Sequence, residues 1–156
     1  MAKELEEGEP APDFALPTAG GGKTRLADLK GKPVVVYFYP KDDTSGCTAE
    51  AIAFSGLKPK FDEAGAVVIG VSPDSAAAHD KFKAKYSLSV ALAADPERSA
   101  IEAYGVWKEK SMYGRKYFGV ERSTFLIGRD GRIAKVWRKV KVPGHAEEVL
   151  AAIKAL

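Results

Sequence analysis

Val34-Val35-Val36-Tyr37-Phe38-Tyr39 runs directly into Pro40-Lys41-Asp42-Asp43-Thr44-Ser45-Gly46-Cys47-Thr48-Ala49-Glu50. The first six residues are continuous, apolar and rich in β-branched and aromatic side chains. That pattern predicts a strand buried on both faces, as in the middle of an α/β sheet. The next residues form a Pro/Asp/Gly turn cluster, and a helix-like segment leaves it. A strand that ends in a loop and turns into a helix sets its last loop residues at the helix N-terminus. There, unpaired backbone N–H groups and the helix dipole favour negative charge. Cys47 stands at that point, flanked by Gly46 and Thr48, and it is the only cysteine in 156 residues. A lone cysteine is ordinarily a small buried hydrophobe. At a helix start it can be held as thiolate, the reactive form, so Cys47 is read as a nucleophile first.

Working outward, Phe54, Leu57, Phe61 and Ala64 recur at helical spacing. Gly56 and Pro59 interrupt them, which predicts a kink or two consecutive helices. Gly65 stops the helix, and Ala66–Val71 is a second buried strand. Ser72-Pro73-Asp74-Ser75 reads as a turn with a helix cap. The helix after it carries Ala78, Phe82 and Tyr86 on its apolar stripe, with His79 beside the stripe as a solvated residue. Val90–Ala93 is a short strand. Asp95-Pro96-Glu97 opens another helix with Pro96 at its first position, Ile101 and Tyr104 face inward, and Gly105 ends it. Residues 106–121 read as a long connection. Ser123–Ile127 and Ile133–Val140 read as an antiparallel pair around the Gly128-Arg129-Asp130-Gly131 turn. Pro143-Gly144-His145 begins a last helix with Val149, Leu150 and Ile153 inward, and His145 there reads as a capping or solvent-exposed residue. Upstream, residues 13–26 suggest a small N-terminal hairpin. The element order gives an α/β fold: a central mixed β-sheet flanked by helices on both faces.

Length and composition fit one domain over 1–156. With 46% hydrophobic and 29% charged residues, the chain has the make-up of a globular protein. No apolar run approaches the roughly 18 residues of a membrane span. The charged start, Met1 to Gly8, lacks the apolar middle of a secretory signal. One cysteine excludes an intrachain disulfide, and a reducing cytoplasm is the expected compartment. The net charge of +3 is small. Basic residues cluster over 108–116 and 129–141, but without the dense stripe and interleaved stacking aromatics that nucleic-acid binding requires. One cysteine and the distant His79 and His145 make no metal site.

The segment Tyr37 to Thr48 resembles the active-site segment of peroxiredoxins, most closely the bacterioferritin-comigratory-protein group, or Q type. The shared pattern is Pro40, Thr44 and the peroxidatic cysteine, Cys47. Glu121-Arg122-Ser123-Thr124-Phe125-Leu126-Ile127 resembles the family segment bearing its active-site arginine. Gly70-Val71-Ser72, Lys108 to Gly114 and Trp137-Arg138-Lys139-Val140 extend the likeness over nearly the whole chain. The resemblance implies a thioredoxin-like fold and a thiol peroxidase for hydrogen peroxide and organic hydroperoxides, with no cofactor. It assigns Cys47, Thr44, Arg122 and Pro40 to the site.

Each assignment has a chemical reason. A Cys47 thiolate attacks one oxygen of the O–O bond and becomes a sulfenic acid. The oxyanion left behind needs donors where its charge develops. Arg122 is permanently charged and offers fixed donors to sulfur and peroxide. Thr44 can turn its hydroxyl toward either, the Cys47 amide is a further donor, and Pro40 stiffens the loop and shields the thiolate. Glu50 reads as a helix-start charge that helps to order the site.

Two departures from the family stand out. Relatives often carry a resolving cysteine five residues after the peroxidatic one, where this chain has Ile52. Others carry it in the segment matching Asp80-Lys81-Phe82-Lys83-Ala84-Lys85, which has none. The resemblance then implies a one-cysteine cycle closed by an external thiol: thioredoxin, glutaredoxin or glutathione. Ser45 stands where many relatives have proline, which leaves the loop freer. Monomer and homodimer both fit.

A non-enzymatic peroxide sensor or holdase on the same cysteine is the alternative. Dithiol exchange would need a second cysteine at Glu50, and a cysteine hydrolase would need a histidine placed by motif beside Cys47.

Overall fold

The structure, a computed structural model, describes residues 4–156. The first three residues of the charged lead-in lie outside them. The elements in chain order are β1 (Ala15–Pro17), β2 (Lys23–Arg25), a 3₁₀ turn (Leu26–Leu29), β3 (Val34–Phe38), α1 (Ser45–Gly56), α2 (Lys58–Glu63), β4 (Val67–Ser72), α3 (Ala76–Tyr86), β5 (Ala91–Ala94), α4 (Ser99–Ala103), β6 (Trp107–Met112), β7 (Arg115–Val120), β8 (Ser123–Ile127), β9 (Ile133–Trp137) and α5 (His145–Lys154).

The central sheet has the order β5-β4-β3-β8-β9. β3 pairs parallel with β4, and β4 with β5, while β8 runs antiparallel to β3 and β9 antiparallel to β8. β3 lies in the middle, and all five of its residues are buried, as its unbroken apolar run predicts. Its side chains alternate between two cores. Val35, Tyr37 and Tyr39 join Phe54, Phe61, Phe82, Val149 and Cys47, from α1, α2, α3 and α5. Val34, Val36 and Phe38 join Ile101, Tyr104 and Phe125, with Phe14 and Leu16 from the N-terminal hairpin. Helices therefore cover both faces of a mixed sheet. With the N-terminal β1–β2 hairpin, this is the thioredoxin-like fold.

The interruption at Gly56 and Pro59 does make two helices. Leu57 is the hinge residue, and Pro59 sits in the first turn of α2, where its missing N–H costs nothing. The Ser75 cap is also present, its hydroxyl accepting from the Ala78 amide.

Three expectations are corrected. Residues 106–121 are not a plain connection but a two-stranded hairpin, β6–β7, turning at Tyr113-Gly114 with positive φ at both residues. Helix α4 begins at Ser99 rather than at Pro96, because the Asp95 carboxylate reaches forward to the Ser99 and Ile101 amides and starts the helix there. His79 is fully buried, so α3 turns His79 and Phe82 to the core in place of Ala78. The lead-in is laid along β9: Gly8 and Ala11 donate to the Ile133 and Gly131 carbonyls, and Ile133 donates to Glu9.

Candidate active site

Tyr39 carries β3 into the loop, and Thr44 is the N-cap residue of α1. The first bond inside α1 runs from the Thr48 N–H to the Thr44 carbonyl, 2.8 Å. Cys47 is thus in the first turn, where amides lack intrahelical partners and the helix dipole is positive. Only 1% of Cys47 is exposed. Burial alone would suit an inert thiol, but a cation lies on the sulfur. Arg122 Nη2 is 3.4 Å from Cys47 Sγ, and Nη1 donates to Glu50 Oε1 at 2.7 Å. The guanidinium is the link between sulfur and carboxylate.

Arg122 immediately precedes β8, and its side chain is 18% exposed. Gly46 lies close against it: a Cβ on Gly46 would be 3.0 Å from Arg122 Nη2. A side chain at position 46 would press on the guanidinium, which gives that glycine a packing reason. Glu50 sits one turn beyond Cys47 and is 1% exposed. Burial pushes its carboxyl up to about 7, against the pull of Arg122. Its second oxygen, Oε2, has no hydrogen-bond partner among the described residues. From its place in the chain Glu50 reads as a helix-start charge; the structure makes it the buried counter-ion of Arg122.

Thr44 is placed differently from its expected role. Its hydroxyl donates to the Lys41 carbonyl at 2.8 Å, so its proton is spent within the loop. What Thr44 can still offer is an acceptor lone pair. Pro40 is half-buried at the start of the loop. Tyr37 lies beneath the site, its ring stacked on Phe54 at 4.7 Å. Its hydroxyl has no partner among the described residues, and burial, reinforced by Glu50 and Cys47, pushes it well above the ordinary phenol range. It is therefore neutral.

Both histidines are buried. His145 is buried rather than capping or exposed: Nε2 is 2.8 Å from Thr124 Oγ1, and the ring packs edge-on to Phe54 and Trp137. Burial lowers its basicity. His79 contacts Asp42, in the loop that leads to Cys47. Ile52, five residues after Cys47, is half-exposed on the outside of α1.

Residues 8–136 match the AhpC/TSA family. The chain belongs to this family. It is 50% identical over 149 residues to the putative peroxiredoxin bcp of Coxiella burnetii, covering 96% of this chain and 99% of that protein. The solved structure of the bacterioferritin comigratory protein of Xanthomonas campestris, described for its alkyl peroxide reduction activity, superposes with a TM-score of 0.90. It is 45% identical and covers 96% of this chain and 98% of that one. Peroxiredoxin Q of the same organism, solved as a cysteine-to-serine variant, gives 0.90 at 46% identity, covering 97% and 99%. That protein has been solved with either of two different cysteines changed to serine; the present sequence has Cys47 alone. The protein is a one-cysteine peroxiredoxin of the bcp, or Q, type. It is a thiol peroxidase working through a peroxidatic cysteine.

Proposed function

We propose that Cys47 is the peroxidatic residue and that Arg122, Thr44, Pro40 and Glu50 serve it, within one peroxiredoxin domain spanning residues 1–156. The observation that carries this is the Arg122 guanidinium, in contact with the Cys47 sulfur on one side and the buried Glu50 on the other. The thiolate attacks the nearer oxygen of ROOH, and the sulfur–oxygen bond forms as the O–O bond breaks. The leaving RO⁻ takes a proton and departs as ROH, while Cys47 becomes the sulfenic acid. Negative charge moves from sulfur to the departing oxygen. Arg122 and the amides of the first turn of α1 lie where both positions can use them. Thr44, its own proton held by Lys41, accepts the O–H of the incoming hydroperoxide and orients it. Pro40 stiffens the loop and limits water at the sulfur. Hydrogen peroxide and organic hydroperoxides are both substrates in this reading. The alkyl peroxide reduction described for the Xanthomonas campestris relative supports the second.

With one cysteine, resolution is intermolecular. An external thiol condenses with the sulfenic acid, releasing water and forming a mixed disulfide. A second thiol then restores Cys47 and leaves as the oxidised disulfide. Glutathione, glutaredoxin and thioredoxin are the chemical candidates, and a reducing cytoplasm, which supplies all three, is the compartment we assign. Among the described residues, no helix is long and apolar enough to cross a membrane.

Intact mass after one equivalent of hydrogen peroxide, with Cys47→Ser alongside, tests the reading. Gain of one oxygen, erased by thiol and absent in the variant, is expected. No oxygen on the wild-type chain would reduce Cys47 to a structural residue.

A further inference from the structure

The loop that aims Cys47 is held from below by a buried side-chain pair that the peroxidase chemistry leaves unused. His79 and the Asp42 side chain are 0% and 7% exposed, with His79 Nδ1 2.7 Å from Asp42 Oδ2. His79 Nε2 is 3.0 Å from the Ala93 carbonyl oxygen. A carbonyl only accepts, so Nε2 carries a proton. Asp42 already accepts the Tyr39 hydroxyl on its other oxygen at 2.6 Å. Nδ1 makes the second bond of the ring to Asp42 Oδ2, so both nitrogens are engaged.

Asp42 is also held through its backbone, which donates to Asp74 Oδ2 at 2.8 Å; Ser72 Oγ donates to the same oxygen. Next to it, Asp43 takes a left-handed φ of 60°, a conformation Asp tolerates better than most residues. Its carboxylate meets Lys85 and Tyr86 of α3. Those contacts are exposed and contribute little. The His79–Asp42 pair is buried, and breaking it would leave a buried polar group without its partner. One residue further on is Thr44, whose hydroxyl is tied to Lys41 and whose carbonyl starts α1.

We infer that His79 is a positioning residue for the peroxidatic loop: its Nδ1–H bond to Asp42 fixes residues 40–44, and through them Thr44 and the helical turn bearing Cys47. It touches neither sulfur nor peroxide. It anchors α3 to the loop, so Cys47 meets the incoming peroxide in one geometry. This rests on the assignment of Cys47 as peroxidatic.

Two substitutions separate position from packing. Asn at 79 sets its amide nitrogen near the place of Nδ1 and keeps a donor for Asp42. Gln sets it near Nε2, keeping Ala93 and losing Asp42. The readout is the second-order rate of Cys47 oxidation by hydrogen peroxide in stopped flow, with thermal unfolding in parallel. His79→Asn should stay within about threefold of wild type, while His79→Gln falls by about tenfold or more, since small displacements at a reacting centre cost that much. A His79→Gln chain as fast as wild type, or both variants equally slow, overturns the inference. Nitrogen-15 NMR of the wild-type imidazole ring at pH 7 keeps it testable if the variants fold poorly. Protons on both ring nitrogens are expected, and a bare Nδ1 refutes the clamp. Wild-type protein that fails to react with peroxide would remove the peroxidase assignment instead, leaving the NMR result to stand by itself.

Discussion

Replacing Arg122 by Met keeps the aliphatic stem and removes the charge and both donors. At the 3.4 Å separation of Nη2 and Cys47 Sγ, a unit charge pair is worth about 1 kcal/mol at the dielectric of water and about 5 kcal/mol at an effective value near 20. The sulfur is buried and the arginine side chain is 18% exposed. The middle of that range applies, about 2–3 kcal/mol, which is a rate loss of about 30- to 150-fold. The substitution has a second effect. Among the described residues Glu50 loses its only counter-ion, while its Oε2 has no partner there to begin with. Stability should fall by about 3 kcal/mol, the cost of opening a buried pair from one side. Adding Glu50→Gln removes the stranded carboxylate, so the double variant should recover at least half of the lost stability. It should not recover the rate, because the cation at the sulfur is still missing. Stopped-flow oxidation by hydrogen peroxide measures the first quantity and urea unfolding the second. The reasoning is refuted if Arg122→Met reacts within threefold of wild type, or if the double variant regains the wild-type rate.

Four further outcomes are expected. Glu50 binds protons more tightly in the folded chain (about 7) than at its ordinary value of 4.5. Between those two values the native state holds more protons than the unfolded one, so this group's contribution to stability falls as pH rises. The loss is about 3 kcal/mol, and Glu50→Gln should flatten that part of the stability profile in urea titrations at pH 5 and 7.5. Gly70→Ala would set a Cβ 2.6 Å from Tyr37 Cζ and 3.0 Å from Leu92 Cδ2. The Tyr37 ring is pinned against Phe54, so the clash should cost about 2–3 kcal/mol, seen as a Tm lower by about 5–10 °C. Excess hydrogen peroxide without thiol should carry Cys47 on to sulfinic acid, because no internal thiol intercepts the sulfenic acid; peptide mass analysis decides. Ser45→Pro occupies the first position of α1 after an extended Thr44 (φ −94°, ψ 156°). It should therefore stabilise the chain by about 0.5 kcal/mol through the unfolded state, read in the same urea titrations.

What the sequence disclosed follows from where the determining partners lie. Val34–Tyr39 announced a central strand because burial on both faces leaves its mark on every residue. The helix break at Gly56 and Pro59 and the Ser75 cap were legible because their causes are local. His79 was not. A stripe of Ala78, Phe82 and Tyr86 and a stripe of His79, Phe82 and Tyr86 fit a helical period equally well. What turns the histidine inward is a carboxylate 37 residues away. The same holds for His145, whose partner Thr124 belongs to another element. Glu50 looked like a dipole partner near a helix start, and only the approach of Arg122 makes it a buried counter-ion. The β6–β7 hairpin was hidden for a different reason. Residues 111–118 are exposed, so no buried face marks an alternation. Its one local signal was Gly114 as the second residue of a turn with positive φ at both centres.

The position of Arg122 is inherited from the register of the sheet. β3 and β8 pair Val34 with Ile127 through to Phe38 with Ser123, and one further step brings Arg122 opposite Tyr39. Thr124 and Leu126 lie on the face that carries α1, with Tyr37 and Tyr39. By the same alternation Arg122 points to that face and meets Cys47. A slip of one residue would turn the guanidinium toward Phe38 and Tyr104, in the other core. Five consecutive buried pairs oppose that slip, each with its own packing partners. Tyr39 binds the two halves of the site: its backbone ends the strand that sets Arg122, and its hydroxyl holds Asp42 in the loop that sets Cys47. Cation and nucleophile are thus referred to one residue, which sets the distance between them before any peroxide arrives.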